Sequence, residues 1–140
     1  LAYTGTKVKT HEHLKELQGA EFKKKLDQSL TALESLALKS KNSFISGDAK
    51  ALGDSMNAYQ SILSDLVKPA KDFQTQVSKI QSLDGVLGCK GSGSQGGDCV
   101  LVLIDPLHAH SLAQQVEDLG WKALSPDFNS QGLTIHPKLS

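Results

Sequence analysis

The chain has 140 residues, of which 39% are hydrophobic and 21% are charged. This composition excludes a disordered chain, and the length predicts a single domain over residues 1–140. The 15 basic and 15 acidic residues leave no net charge to attract nucleic acid or an anionic membrane, so neither is predicted as a partner.

The first 84 residues are predicted to be mostly helical. Residues 1–8 alternate apolar and polar side chains, which predicts a short strand. From Phe22 the apolar residues recur every three or four positions, which predicts an amphipathic helix that ends within residues 42–47. Asp48 is the expected cap of a second helix, and Pro69 is expected in the first turn of a third.

After residue 84 the pattern changes to that of a sheet. Residues 85–90 form a short apolar run, and residues 91–97 form a polar loop of glycine and serine. Residues 99–104 (CVLVLI) are continuously apolar, which is typical of a strand in the centre of a sheet. Two strands joined by a glycine-rich loop are therefore predicted.

The rest of the chain predicts one more helix and two short strands. The helix begins at Pro106 and ends at Gly120, while residues 121–124 and 132–136 are the candidate strands. This order favours an α+β fold: a ferredoxin-like split βαβ sandwich, with an antiparallel sheet and helices packed on one face.

Cysteine usage and hydropathy bear on the compartment. Cys89 and Cys99 are too few for a disulfide scaffold, and neutral thiols are expected. We find no signal peptide and no apolar run of about 18 residues, so a cytoplasmic protein is predicted. The chain opens at Leu1 directly on strand-like residues, which predicts that it is part of a longer protein.

The loop is the feature most suggestive of chemistry. Six of the twelve glycines lie within residues 85–97. Glycine lets backbone N–H groups approach a ligand closely, and Ser92, Ser94 and Lys90 add hydroxyl donors and a positive charge, so a phosphate site is one interpretation. A flexible hairpin loop is the other. The chain lacks arginine, the usual bidentate ligand of phosphate.

Common nucleotide motifs are absent from this loop. Residues 91–96 spell GxGxxG, but a strand follows them instead of the helix that a dinucleotide-binding turn requires, and no GxxxxGK[ST] occurs. The two HxH pairs fall at predicted helix starts, where side chains two residues apart diverge, so no metal site is predicted. These pairs are His11 with His13 and His108 with His110.

Residues 85–105 (GVLGCKGSGSQGGDCVLVLID) resemble the third conserved motif of the GHMP kinases, most closely of the mevalonate-pathway members. Two positions depart from the motif, because Ser94 replaces the usual alanine and Gln95 the usual glycine. Residues 96–99 are similar to phosphomevalonate kinases. The positions that match are Lys90, Ser92, Gly93, Gly96, Gly97, Asp98 and Cys99.

The resemblance extends over most of the chain, but outside the loop it is less specific. Residues 3–10 (YTGTKVKT) are similar to the opening of the family's second domain, and residues 52–63 (LGDSMNAYQSIL) to a helix beside its substrate cleft. The resemblance implies a carboxy-terminal kinase domain whose phosphate or substrate loop consists of Lys90, Ser92, Gly93, Ser94, Gln95, Gly96, Gly97 and Asp98.

The resemblance also implies what lies elsewhere. The ATP-binding loop and the catalytic aspartate belong to a preceding domain, so no catalytic residue is expected in this chain, and this chain alone is expected to be inactive. ATP, Mg²⁺ and a small-molecule substrate are implied for the full-length protein, and no cofactor is expected on this domain by itself. A truncated domain that exposes an apolar face could form a homodimer.

The sequence leaves open two alternative functions and the role of Asp98. The chain could be a non-catalytic α+β module that binds a ligand or a protein, or a domain similar to a diphosphomevalonate decarboxylase, whose loop is less rich in glycine. Asp98 could be a base or a ligand beside a metal, although hydrogen bonds to the loop's own N–H groups are the favoured role.

Overall fold

The structure, a computed structural model, describes residues 1–5, 19–93 and 99–126. These ranges contain four strands and four α-helices, with one 3₁₀ turn over Pro106–His108. The elements in chain order are β1 (Ala2–Tyr3), α1 (Ala20–Ser46), α2 (Ala49–Leu66), α3 (Lys68–Gln81), β2 (Val86–Gly91), β3 (Cys99–Ile104), α4 (Ala109–Asp118) and β4 (Lys122–Ala123).

The four strands form one antiparallel sheet in the order β2-β3-β1-β4. Strand β1 is followed by three helices and then β2, and β3 is followed by α4 and then β4. In the sheet, β3 lies between β1 and β2, and β1 lies between β3 and β4, so the strands of these two units alternate. This is the ferredoxin-like arrangement, and it confirms the predicted α+β fold class. The order leaves β2 at one edge, where it enters the glycine-rich loop.

The core lies between the sheet and helices α3 and α4. Helix α3 contributes Phe73, Val77 and Ile80, all at most 4% exposed, and α4 contributes Leu112 and Val116. These side chains pack against three buried strand residues, Ala2, Cys89 and Val100. Burial of the apolar faces of both helices on the sheet supplies the main hydrophobic stabilisation of the domain.

The helix boundaries follow local signals that the sequence contains. Gly47 adopts a left-handed conformation (φ 72°) after α1, and its N–H donates to the carbonyl of Phe44. The Asp48 carboxylate then accepts from the N–H of Ala51 at 2.9 Å, which confirms it as the cap of α2. Pro69 is the second residue of α3, where its missing N–H has no helical partner to lose.

Two sequence predictions need correction within the described residues. The strand predicted over residues 1–8 is limited there to β1, and residues 6–8 lie outside the described ranges. The helix predicted to begin at Pro106 instead opens with the 3₁₀ turn, because the Asp105 carboxylate accepts from the N–H of Leu107 at 2.9 Å, and α4 starts only at Ala109.

Strand β4 confirms the strand predicted over residues 121–124, although it is shorter. Gly120 has a φ of +77°, a conformation that glycine adopts without strain, and it lies just past the end of α4 as predicted. The last candidate strand, over residues 132–136, lies outside the described residues.

Candidate functional site

The candidate loop connects the edge strand β2 to β3. The two strands pair up to Gly91 and Val100, and the Ser92 N–H donates to the carbonyl of Cys99 at 2.9 Å, which closes the paired part of the hairpin. Gly93 has a φ of +65°, and no atom of the described residues lies within 4 Å of a Cβ built on it, so the described surroundings leave this backbone open.

The structure therefore describes three of the eight predicted site residues, Lys90, Ser92 and Gly93. Lys90 is the second-last residue of β2, and Ser92 and Gly93 follow the strand where the hairpin loop begins. The other five lie outside the described residues, and their predicted roles stay predictions. They are Ser94, Gln95, Gly96, Gly97 and Asp98.

Lys90 is a half-buried cation at the start of the loop. Its Nζ donates to the carbonyl of Gly91 at 3.0 Å and lies 5.9 Å from the ring centroid of Tyr59 on α2. Burial lowers the pKa of the Lys90 ammonium below its ordinary value. Among the described residues no carboxylate forms an ion pair with it. A partly desolvated ammonium of this kind gains from an anion that replaces lost solvation.

Helix α2 lies along β2 and occupies the open edge of the sheet. Alternate N–H groups of an antiparallel edge strand point away from the sheet, and here those of Cys89 and Gly91 do so. The Asn57 Oδ1 accepts from the first at 2.9 Å, and the Gln60 Oε1 accepts from the second at 2.8 Å. Side chains of α2 thus satisfy the edge that would otherwise be exposed.

A close backbone contact sets the distance between α2 and β2. A Cβ built on Gly53 would lie 2.6 Å from the carbonyl carbon of Leu87, and one built on Gly88 would lie 2.5 Å from the Gly53 Cα. Neither glycine has a positive φ, so both are required by the close packing and not by a turn. This contact lets the short amide side chains of α2 reach the strand.

Sequence reasoning missed these α2 residues. The apolar stripe of α2, whose residues recur every three or four positions, is only half-buried, while the fully enclosed residues of α2 are small or polar. A polar residue on a helix ordinarily indicates a solvated face, so no sequence signal distinguished Asn57 or Gln60. The stripe consists of Leu52, Met56, Tyr59, Leu63 and Leu66, and the enclosed residues are Gly53, Ser55, Gln60 and Ser64.

The histidines near α4 show no sign of a metal centre. His108 lies at the N-cap of α4, where Nε2 is 3.5 Å from the Asp84 carboxylate and Nδ1 is 3.8 Å from that of Asp105. No group of three or more side chains that could hold a metal ion occurs in the described part of the chain. His11 and His13 lie outside it.

Both cysteines are free thiols, as predicted. Cys89 is fully buried and its thiol contacts the carbonyl of Val77 at 3.5 Å, whereas Cys99 is only half-buried. Burial raises the pKa of the Cys89 thiol to about 12. The two residues lie apart on the hairpin, since Cys89 pairs with Val102 and Cys99 with Tyr3.

We expect Cys89 to resist alkylation at pH 8 until the protein is unfolded, because the thiolate is the reactive form and burial disfavours it. Mass spectrometry of iodoacetamide-treated protein, with and without denaturant, would measure this. The raised pKa also means that the folded state binds this proton more tightly. Its contribution to stability is therefore full below the ordinary thiol pKa of about 8.5 and declines as the pH rises from there toward 12. Labelling of Cys89 in the folded protein at pH 8 would contradict the described burial.

The sequence profile of the family described as "GHMP kinases C terminal" matches residues 32–120, from within α1 to the end of the turn after α4. The match covers well over half of the chain. This chain belongs to the GHMP kinase C-terminal family. The resemblance read from the loop residues is confirmed at the level of the family, and the GHMP domain is part of a kinase.

No curated protein matches the sequence. In the described part of this GHMP domain, no helix has the length and apolar character that crossing a membrane requires. Because GHMP kinases are ATP-dependent, ATP is the expected phosphoryl donor of the full-length GHMP protein.

Proposed function

We propose that this GHMP domain is the carboxy-terminal half of a mevalonate-pathway kinase, which transfers the γ-phosphoryl group of ATP to a small alcohol or phosphate acceptor in isoprenoid biosynthesis. In this proposal the loop over residues 90–98 faces the phosphates or the acceptor. The similarity of residues 96–99 to phosphomevalonate kinases favours a phosphorylated acceptor.

One observation carries the proposal. The Lys90 ammonium is half-buried at the mouth of a glycine-rich hairpin, and its described contacts are a backbone carbonyl and an aromatic ring, with no carboxylate. A phosphate oxygen placed there would gain a charge-assisted hydrogen bond. The adjacent Ser92 and the open backbone at Gly93 offer further donors, so the described residues fit a phosphate group.

Phosphoryl transfer depends on positioning and on stabilisation of the negative charge that spreads over the transferred group. ATP supplies that group when it is bound. The loop would hold the phosphates or the acceptor through N–H groups, the Ser92 hydroxyl and Lys90. The family resemblance implies that the ATP-binding loop and the catalytic aspartate lie in a preceding domain, and Mg²⁺ would be held there together with ATP.

The experiment is a phosphorylation assay on the complete protein that carries these residues. We expect ATP-dependent formation of phosphorylated product from mevalonate or phosphomevalonate, and no turnover by residues 1–140 alone. Release of CO₂ from diphosphomevalonate would instead identify the decarboxylase alternative. Absence of transfer to any of these acceptors, with intact folding, would favour the non-catalytic binding module.

A further inference from the structure

We infer that Gln60 is a positioning residue for Lys90 and Ser92 at the start of the glycine-rich loop, because it holds the N–H of Gly91, the residue between them. This inference rests on the proposed function, because it assigns a role to Gln60 in the binding of phosphate by that loop. Gln60 itself touches neither loop hydroxyl nor ammonium in the described contacts, so its action would be indirect.

Gln60 contacts the end of β2 directly. Gly91 is the last residue of β2, and its N–H points away from the sheet. Gln60 is 0% exposed, and its Oε1 accepts from this N–H at 2.8 Å. A buried N–H without an acceptor costs about 1–3 kcal/mol, so this hydrogen bond strongly favours one position of the Gly91 peptide.

The Gln60 amide is itself held in place by Ser64 and Gln74. Its Nε2 lies 3.4 Å from the Ser64 Oγ and 3.3 Å from the Gln74 Oε1, and the Ser64 hydroxyl donates to that same Gln74 oxygen at 2.6 Å. A reversed amide would direct its NH₂ group at the Gly91 N–H, and it would place its oxygen against the oxygen of Gln74. The network therefore fixes the carbonyl of Gln60 toward the strand.

Gly91 is also bonded to the proposed site residues. It lies between Lys90 and Ser92, its carbonyl accepts from the Lys90 Nζ at 3.0 Å, and the next N–H, that of Ser92, closes the hairpin. A displacement of the Gly91 peptide would move both the ammonium and the hydroxyl that the proposed site uses. Misplacement of a binding group by about 1 Å can cost a factor of about 100 in rate.

Asn57 provides the matched control. It makes the equivalent hydrogen bond to the Cys89 N–H at 2.9 Å, one turn of α2 earlier, and it is braced by Gln81 at 2.9 Å. Asn57 and Gln60 thus both satisfy an outward N–H of β2, but only Gln60 holds the residue between Lys90 and Ser92. A purely structural role predicts the same consequences for both, and a positioning role does not.

The test compares Gln60→Met with Asn57→Leu in the complete protein. Both substitutions remove the acceptor and keep the approximate volume. We expect Gln60→Met to raise the KM for ATP or for the phosphoryl acceptor about tenfold, equivalent to about 1.4 kcal/mol of binding, and Asn57→Leu to change both values less than about threefold at a comparable loss of Tm. Equal effects of the two variants on KM would overturn the inference.

Hydrogen exchange of the Gly91 and Cys89 amides, measured by mass spectrometry, gives a second readout that does not need activity. Gln60→Met should accelerate exchange at Gly91 more than at Cys89, and equal acceleration at both would again count against the inference. If Gln60→Met does not fold, Ser64→Ala removes only the brace and should show the same preference for Gly91. If the parent protein shows no phosphoryl transfer, the proposed function is wrong, but the inference about Gln60 is still tested. The exchange data would then show whether Gln60 holds the Gly91 peptide in place.

Discussion

Replacement of Gly53 by alanine should destabilise the domain by about 3 kcal/mol, the upper part of the range for overpacking a close contact. The added Cβ would lie 2.6 Å from the carbonyl carbon of Leu87 on β2. The obstruction is backbone, which cannot rotate aside as a flexible side chain could. Helix α2 would have to move away from the strand, and the hydrogen bonds from Asn57 and Gln60 to β2 would lengthen.

Helix propensity alone predicts the opposite sign. Gly53 lies within α2, and alanine in a helix interior is favoured over glycine by about 1 kcal/mol. The clash outweighs this gain because the contact lies between two backbones and because the separation of α2 from β2 would leave buried N–H groups without acceptors. The net effect should therefore be a large loss of stability.

Chemical denaturation followed by circular dichroism would measure the change in the free energy of unfolding. Gly19→Ala is a suitable control, because Gly19 caps α1 and a Cβ built on it meets no atom of the described residues within 4 Å. Its effect should be below about 1 kcal/mol. A Gly53→Ala protein as stable as the parent would show that α2 does not lie this close to β2.

Replacement of Lys90 by alanine in the complete protein should lower kcat/KM for ATP about 100-fold, the effect of removing one charged donor from a phosphate in transfer. The half-buried ammonium forms no ion pair among the described residues, so the variant should lose little stability. Steady-state kinetics and a thermal melt would separate the two effects. Lys79→Ala, which removes an exposed lysine on α3, should change kcat/KM by no more than about twofold.

The pH dependence offers a further readout for Lys90. Because burial lowers the pKa of this ammonium, activity that needs its charge should decline at a lower pH than for an ordinary lysine. Lys90→Arg, which stays charged throughout this range, should lose that alkaline decline. An unchanged rate and pH profile in Lys90→Ala would remove Lys90 from the proposed site.

Much of the fold could be predicted because its signals are local. The Asp48 cap, the proline in the first turn of α3 and the continuous apolar run of β3 each depend on neighbours within a few residues, and the structure places all three as predicted. The 3₁₀ turn at Pro106–His108 was not predicted, since it depends on which donor the Asp105 carboxylate reaches.

The candidate site could likewise be predicted only in part from the sequence. Lys90, Ser92 and Gly93 could be selected from a contiguous motif, and the profile match confirms the family to which that motif pointed. The support for the loop could not be selected, because Gln60 and Gly91 are 31 positions apart and meet only when α2 lies along the edge of the sheet. Periodicity assigns a polar residue on a helix to solvent, and here it is fully buried.

The sequence by itself therefore determined the fold class, the family and the position of a glycine-rich loop, since composition, periodicity and a contiguous motif are properties of the chain. Only the tertiary structure decided how that loop is held. The contact of Gly53 with Gly88 and the amide hydrogen bonds from α2 to β2 depend on long-range packing. Buried N–H groups at a sheet edge require acceptors, and folding supplies them from side chains that the sequence pattern assigns to the surface.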